Sequence, residues 1–588
     1  SGCMTGGMWA VMGPSGCGKS TLLNTLACRL DVNTTVVGEM RLNGRPYHNA
    51  ELKKMSGYVM QDDLLNGSLT VRETLYYTAA LRLPRTFTSQ ERAERVEEVI
   101  REMGLTHCQD VIVGDPQQKG ISGGERRRLC IGMELLMRPT LLFLDEPTSG
   151  LDSVTAVSLV ELLHRISRSG KCSMMMSIHQ PQARLFALFD RLLLLKSGRI
   201  LYQGSIPGAL QLFEDCGFPV PHYSNPADHI LDVITPPMDS SLTDYFEHEG
   251  IARVAEADTL MPPIAEDNTT AVAGALNDVE NSAKLRAKFE DNAEAFDLGY
   301  GSSKPVLLER DQVSWWRQFT VLVQRNIQDA SRRKLPIIFA AIQSSVMAIL
   351  FGFAFFDIGT GQSSVTRRNP ASFFFCVNQG VVGGLTIINA FPAERALMLR
   401  ERAAGTYFVS AYFCAKILVD TLMSLPVPIC FGVISYWIIG FQPLAGKFFV
   451  FLVILILCNL SATSVALMIS ALCKTTDVAT TVLPMFLEIC RLFGGFYLAP
   501  INLPNYFSWL DALSYIKYSY VGIALNEFSG LILECDNSTG TCTPSGAASI
   551  KALGLDYITT EGCIGVLIGY IVFCQTVAFL AIRFLKSK

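Results

Sequence analysis

Hydrophobic positions follow two rhythms along this chain, and they meet near Ser331. Before it, short apolar runs alternate with stretches at helical spacing, the pattern of an α/β domain. Met8-Trp9-Ala10-Val11-Met12 reads as a buried strand and Thr21-Leu22-Leu23-Asn24-Thr25-Leu26-Ala27 as a helix. Leu141-Leu142-Phe143-Leu144 has the unbroken apolar character of a buried parallel strand. Met174-Met175-Met176 predicts another. After Ser331 the runs lengthen toward the ~20 residues that cross a bilayer. They cover Leu335–Phe356, Phe373–Pro392, Thr421–Phe441, Phe448–Leu472, Val478–Ala499 and Cys563–Ile582. Six such runs filling the C-terminal half argue for six membrane spans rather than core helices, with a large outer loop over about residues 500–562.

Between the two regions the pattern fades. Residues 238–310 are acidic and low in aromatics, with a short helical patch near Asp278–Phe296, and read as a linker, a regulatory segment being the alternative. Residues 311–334 follow, where Trp315-Trp316-Arg317-Gln318-Phe319 opens an amphipathic stretch suited to a helix lying in the membrane interface.

Composition agrees with a membrane protein. Apolar residues make up 49% of the 588 and charged residues 17%, and the mean hydropathy is +0.30, too oily for a wholly soluble chain. A net charge of −4 gives no sign of a nucleic-acid partner. The 17 cysteines include no C-x-x-C pair, which weakens zinc-finger and redox-motif readings. Lys and Arg set the orientation. With the N-terminal domain inside, the inner flanks carry Arg332, Arg333, Lys334, Arg395, Arg400, Arg402, Lys416 and Arg583 among others, while the outer flanks carry few. Both termini are therefore expected in the cytoplasm, at the plasma membrane or an intracellular vesicle membrane.

Chemistry enters with Gly13-Pro14-Ser15-Gly16-Cys17-Gly18-Lys19-Ser20-Thr21, a complete G-x-x-x-x-G-K-[ST] phosphate loop between the predicted strand and helix. Its backbone N–H groups can wrap phosphates, Lys19 can reach the β/γ oxygens, and the Ser20 hydroxyl can ligate Mg²⁺. The strand at Leu144 runs into Asp145 and Glu146. Asp145 is placed to hold Mg²⁺ and Glu146, one residue on, to polarise the attacking water.

Ile121-Ser122-Gly123-Gly124-Glu125-Arg126-Arg127-Arg128 resembles the signature sequence of ABC ATPases. Gln61, in Val59-Met60-Gln61-Asp62, resembles the glutamine loop, a further Mg²⁺ contact, and His179, in Ser177-Ile178-His179-Gln180-Pro181, the switch histidine. The whole order, ATPase first and membrane domain second, resembles the White-like half-transporters of the ABC G subfamily. Asn225-Pro226-Ala227-Asp228 and the Glu394–Tyr407 segment resemble its characteristic stretches. The resemblance implies a RecA-like core with a helical subdomain over residues 1–237, then an ABC-2 type six-helix membrane domain over 335–588.

The resemblance further implies that two chains pair, the phosphate loop of one and Ser122, Gly123, Gly124 and Glu125 of the other enclosing one ATP. The Glu394–Tyr407 segment and the interfacial helix would take the push from the ATPase near Gln61. Asn378, Val381, Glu488 and Arg491 become candidate linings of a central cavity, and Phe496 and Tyr497 an apolar plug. Glu488 and Arg491, at i, i+3, can equally form an internal ion pair. Cys535 and Cys542 are disulfide candidates beside the sequon at Asn537, the candidate glycosylation site. Cys563 is a candidate for an interchain bridge or a buried thiol. The family's opening strands, with their adenine-stacking aromatic, do not precede the phosphate loop here, so the sequence is expected to be incomplete at its start.

The expected function is ATP-driven export of a lipid-like or amphipathic molecule by a dimer embedded in the bilayer. The alternatives are a membrane-anchored ATPase regulating a partner without pumping, and the C-terminal half of a full-length transporter.

Overall fold

A computed structural model describes the chain except for residues 1–3, 5, 31–33, 39, 43–44, 47–51, 53–54, 116–117, 171, 236–312, 362, 389–390, 474, 498–503, 535–544 and 585–588. The linker 238–310, Asn537, Cys535 and Cys542 thus lie outside the described residues. The chain divides into two compact units, the second beginning at Ser314.

The first unit is built on a six-stranded sheet. Its strands are β1 (Met8–Met12), β4 (Ser56–Val59), β5 (Leu141–Leu144), β6 (Ser173–Ser177), β7 (Arg191–Lys196) and β8 (Arg199–Ser205), ordered β4-β5-β6-β1-β7-β8. All pair in parallel except β8, which returns antiparallel along β7. A separate two-stranded pair joins β2 (Arg41–Leu42) to β3 (Arg45–Pro46). Alternation on β1 explains its central place: Met8, Ala10 and Met12 enter one core, Trp9 and Val11 the core on the opposite face. A strand buried on both faces must be apolar throughout, and this one is.

Helices of this unit are α1 (Lys19–Leu26), α2 (Val71–Arg82), α3 (Ser89–Glu102), α4 (Gly123–Leu135), α5 (Ser153–Arg168), α6 (Ala183–Phe186), α7 (Ile206–Asp215) and α8 (Pro226–Ile234). Their starts are encoded locally. Thr70 with Glu73, Thr88 with Glu91, and Ser122 with Glu125 each form a reciprocal capping box at α2, α3 and α4. Asp152 caps α5, and Asn225 caps α8 with Pro226 at the first helical position.

The second unit is helical. It comprises α9 (Trp315–Arg332), α10 (Lys334–Ala354), α11 (Ser364–Ile388), α12 (Phe391–Ala403), α13 (Val409–Ser424), α14 (Pro426–Ile439), α15 (Ala445–Leu472), α16 (Thr476–Leu492), α17 (Ser508–Leu513), α18 (Tyr515–Phe528), α19 (Gly546–Ala552) and α20 (Thr560–Phe584). α15 is the hub, packed against α11, α20 and α18. Half of its apolar window is buried within the unit, against 22% for α10 and α20. α10 instead exposes Leu335, Ile338, Phe339, Ile342, Val346 and Phe353, as a helix facing lipid does. The amphipathic α9 lies along α13, where Trp315 Nε1 donates to Ser410 Oγ at 3.0 Å and the Phe408 amide to Gln318 Oε1 at 2.8 Å.

Among the described residues, four helices are long and apolar enough to cross a membrane: α10, the continuous pair α13–α14, α15 and α20. The other two long apolar runs also form helices. α16 has 17 residues and stops before Gly494-Gly495, and α11 opens on Arg367, Arg368 and Asn369. The stretch read as a loop over 500–562 contains α18, whose residues are almost all buried. Small and apolar residues, Ser519, Val521, Gly522, Ile523 and Ala524, let that helix pack tightly against α15 and α20. Lys517 and Glu527 broke up its apolar run and hid it.

Candidate ATP site

The phosphate loop connects β1 to α1 as the sequence predicts. Gly13 passes so close to the β7 backbone that a Cβ there would lie 2.1 Å from the Leu195 carbonyl oxygen. Gly18, at φ 103, makes the left-handed turn into α1. Lys19 is buried, and its Nζ donates to the Gly13 carbonyl at 2.9 Å and the Pro14 carbonyl at 3.2 Å. The loop's own oxygens thus hold the ammonium, while Ser15, Gly16 and Thr21 face solvent and Cys17 packs beneath.

A chain of hydrogen bonds leads from this loop to the carboxylates after β5. Ser20 Oγ donates to Asp145 Oδ1 at 3.0 Å, and Ser177 Oγ to the same oxygen at 2.6 Å. The Glu146 amide donates to Ser177 Oγ at 2.8 Å, and Gln61 Nε2 to Glu146 Oε2 at 2.9 Å. Glu146 sits at φ 44, a conformation that costs a non-glycine residue on the order of 1–3 kcal/mol and is kept where surroundings impose it. On the other side of the loop, His179 Nε2 lies 3.1 Å from Ser15 Oγ. Gln61, Glu146, His179, Asp145 and Ser20 therefore converge on one end of the sheet. The Ser20 hydroxyl, the Asp145 carboxylate and the free amide oxygen of Gln61 form an all-oxygen donor set, which suits Mg²⁺.

Sequence reasoning missed three members of this site. Tyr58, on β4, lies by Asp145, and burial, then that carboxylate, hold its hydroxyl far above the usual phenol range. Ser177, at the end of β6, looked like an ordinary strand residue. Arg127 stood in a run of three arginines that reads as a solvated basic face, yet it is 2% exposed. All five of its N–H donors are used: on the Pro147, Met60, Asp145 and Glu146 carbonyls at 3.1, 2.7, 3.2 and 2.7 Å, and on Asp63 Oδ1 at 2.8 Å. The signature helix is thereby fastened to the catalytic strand end and the glutamine loop. The available signal was position: three residues after Gly124, Arg127 shares a face of α4 with that buried glycine.

Ser122 and Gly123 are exposed at the N-terminus of α4. Glu125 Oε2 accepts from the Ser122 amide at 2.7 Å and hydroxyl at 2.8 Å. Burial raises the Glu125 carboxyl, but Ser122 and His107 outweigh it and leave it below its ordinary value.

In the second unit, α11 and α16 carry the cavity candidates and pack on each other. Asn378 Oδ1 accepts from Gln379 Nε2 at 3.3 Å, and Val381 is half-buried. Glu488 and Arg491 pair at 2.6 Å with side chains 60% and 45% exposed, while Leu483, Leu487 and Cys490 of the same helix are buried. Phe496 stacks on Phe373 at 4.8 Å, with Tyr497 and Tyr520 edge-on to Phe373. Cys563 is an enclosed free thiol.

Comparison with known proteins agrees with this geometry. Residues 2–149 match the ABC transporter family, and residues 317–528 and 179–347 match ABC-2 type transporter families. The chain is 34% identical over 98% of its length to ABC transporter G family member 14 of Arabidopsis thaliana, covering 85% of it. It is likewise 34% identical to Protein white of Drosophila melanogaster, covering 98% of this chain and 81% of that one. To the broad substrate specificity ATP-binding cassette transporter ABCG2 of Sus scrofa it is 34% identical, covering 100% and 89%. An ATP-binding domain and an ABC-2 membrane domain in one chain make it a membrane protein whose ATP hydrolysis is coupled to transport. The chain belongs to the G subfamily of ABC transporters and has the half-transporter arrangement.

Proposed function

We propose that two half-transporter chains pair about a two-fold or pseudo-two-fold axis, each supplying its phosphate loop to one ATP and its signature turn to the other. The observation that carries this reading is the hydrogen-bond chain from Ser20 through Asp145 and Ser177 to Glu146 and Gln61. It assembles a nucleotide site on one side only, while Ser122 and Gly123 present the exposed N-terminus of α4, an anion-binding end, on another part of the same unit. Such half-sites are completed by a second copy.

In the proposed cycle, Lys19 leaves the loop carbonyls for the phosphates, and Glu146, held by Gln61, accepts a proton from the attacking water. His179 is within reach of the loop and takes the switch role. Ser20, Asp145 and Gln61 would hold Mg²⁺, which supplies charge neutralisation at the phosphates. Arg127 makes the arrangement cooperative, because a shift of the signature helix must move the backbone of Glu146 and Met60.

The membrane unit, with α11 and α16 joining α10, α13–α14, α15 and α20 as six spans, would carry a lipid-like or amphipathic molecule outward past Asn378, Val381, Glu488 and Arg491, with Phe496 and Tyr497 closing the path. Termini on the cytoplasmic side accord with the Lys and Arg distribution. The broad substrate specificity in one relative's name supports a permissive cavity. Proteoliposomes loaded with labelled amphipathic substrates test the proposal: Lys19→Ala and Glu146→Gln should abolish ATP-dependent transport. Full transport by a Glu146→Gln dimer would sink it.

A further inference from the structure

Beside the signature turn, three side chains of different chemistry converge. Thr106-His107-Cys108 form a single 3-10 turn after α3, and Glu125 stands in the first turn of α4. His107 Nε2 lies 2.6 Å from Glu125 Oε1, and the His107 nitrogen, Cys108 sulfur and Glu125 oxygen all fall within 4.8 Å of one another. The two carboxylate oxygens divide their work. Oε2 holds the Ser122 cap, and Oε1 faces His107. Cys108 is buried and His107 exposed, so the trio has a closed floor and one side open to solvent. Burial, and then the neighbouring Glu125, push the Cys108 thiol up to about 11. Arg128 is the nearby cation, and its Nη2 donates to Ser158 Oγ at 3.1 Å.

We propose that His107, Cys108 and Glu125 form a binding site for one zinc-type divalent cation, with the fourth coordination position open. One nitrogen, one sulfur and one oxygen donor suit a borderline-soft cation, and three protein ligands plus an open position is a common zinc arrangement. Metal–ligand bonds of about 2.0–2.3 Å in a tetrahedron set ligand atoms roughly 3.5 Å apart. The His107–Glu125 pair opens slightly and the thiol closes in, which side-chain rotation achieves. On binding, the Cys108 sulfur gives its proton to solvent and bonds the cation as thiolate. The ion stands where the His107–Glu125 hydrogen bond was and leaves the Oε2 cap intact. It ties the 3-10 turn to the first turn of α4 and so restrains Ser122 and Gly123. Metal binding is independent of the transport reading; the effect on ATP turnover rests on it.

Cobalt is the probe. Titrating Co²⁺ into the full chain in nanodiscs should give a thiolate-to-metal charge-transfer band saturating at one equivalent per chain. Cys108→Ser should remove the band, His107→Ala should weaken binding at least roughly tenfold, and Cys130→Ser should keep it. No band in the wild type, or an equal band in Cys108→Ser, would overturn the site. Micromolar Zn²⁺ should then slow ATP hydrolysis by the wild type but not by Cys108→Ser, each judged against its own metal-free rate. Equal slowing of both would overturn the restraint on the signature turn.

Discussion

Two buried arginines show how differently the two units use charge. Arg127, in the ATPase unit, directs four of its five donors to backbone carbonyls around the end of β5 and the glutamine loop. Arg368, at the start of α11, pairs with the equally buried Glu527 at the end of α18 and donates to the Gly359 carbonyl at 2.8 Å. Glu527 also accepts from the Gln442 amide at 3.3 Å, so this cluster staples three segments of the membrane unit. Buried Lys517 pairs likewise with Asp511, and buried Lys416 with the more exposed Glu394 and Asp420. In the first unit Arg127 ties buried charge to the place where chemistry happens, while the buried Arg82–Glu134 pair is structural. In the second unit buried pairs are dispersed and structural. Substitutions at Glu146 and at Arg368 should therefore separate the two roles, costing activity in one and assembly in the other.

The largest effect is expected at Glu146. Glu146→Gln removes the base but keeps the acceptor for Gln61, so ATP hydrolysis should fall about 10²- to 10⁴-fold while the thermal midpoint stays close to wild type. A parallel loss of folding would mean that Glu146 is a staple as well. Next is Arg368→Ala, which strands a buried carboxylate at a cost of about 3–5 kcal/mol. Folded yield in detergent should collapse, and the paired change Arg368→Met with Glu527→Leu should recover most of it. If the pair behaves no better than the single variant, Arg368 has a role beyond stapling. Arg127→Lys lies between the two classes. It keeps the charge and loses the fork, leaving several carbonyls unmet at about 1–3 kcal/mol. Both the melting temperature and the ATPase rate should drop, and a drop in only one would assign Arg127 to one class. Smallest is Glu488→Gln, where an exposed pair on α16 is worth about 0–1 kcal/mol. Yield should hold, and altered substrate selectivity would place the pair in the cavity lining.

The same contrast explains what could be read from residue order alone. Phosphate loop, Asp145-Glu146, signature turn, Gln61 and His179 carry their chemistry in short local patterns; the phosphate loop, the two carboxylates, Gln61 and His179 meet at the ends of β1 and β5, and the signature turn lies elsewhere on the unit. Arg127 escaped because its significance lies in the carbonyls around it, and backbone oxygens leave no trace in composition. Tyr58 and Ser177 escaped because the carboxylate they face, Asp145, lies at the end of another strand far away in the chain. In the membrane unit, hydropathy reads exposure to lipid well, as α10 shows, and reads internal helices poorly. α18 hid behind Lys517 and Glu527, whose charges are cancelled by Asp511 and Arg368, partners 6 and 159 positions away in the chain. α16, at 17 residues, stops before paired glycines, and α11 carries two arginines near its start.

The two-chain ATP site is the central claim, and mixing two dead chains tests it most directly. Lys19→Ala breaks the phosphate loop and Ser122→Phe blocks the signature turn, so either homodimer should be inactive. In a mixed dimer both defects fall on the same nucleotide, and the other site is built from the intact loop of one chain and the intact signature of its partner. The account predicts that co-expressed and co-purified mixed dimers regain ATP hydrolysis well above either homodimer. Mixed dimers as inactive as both parents would contradict it.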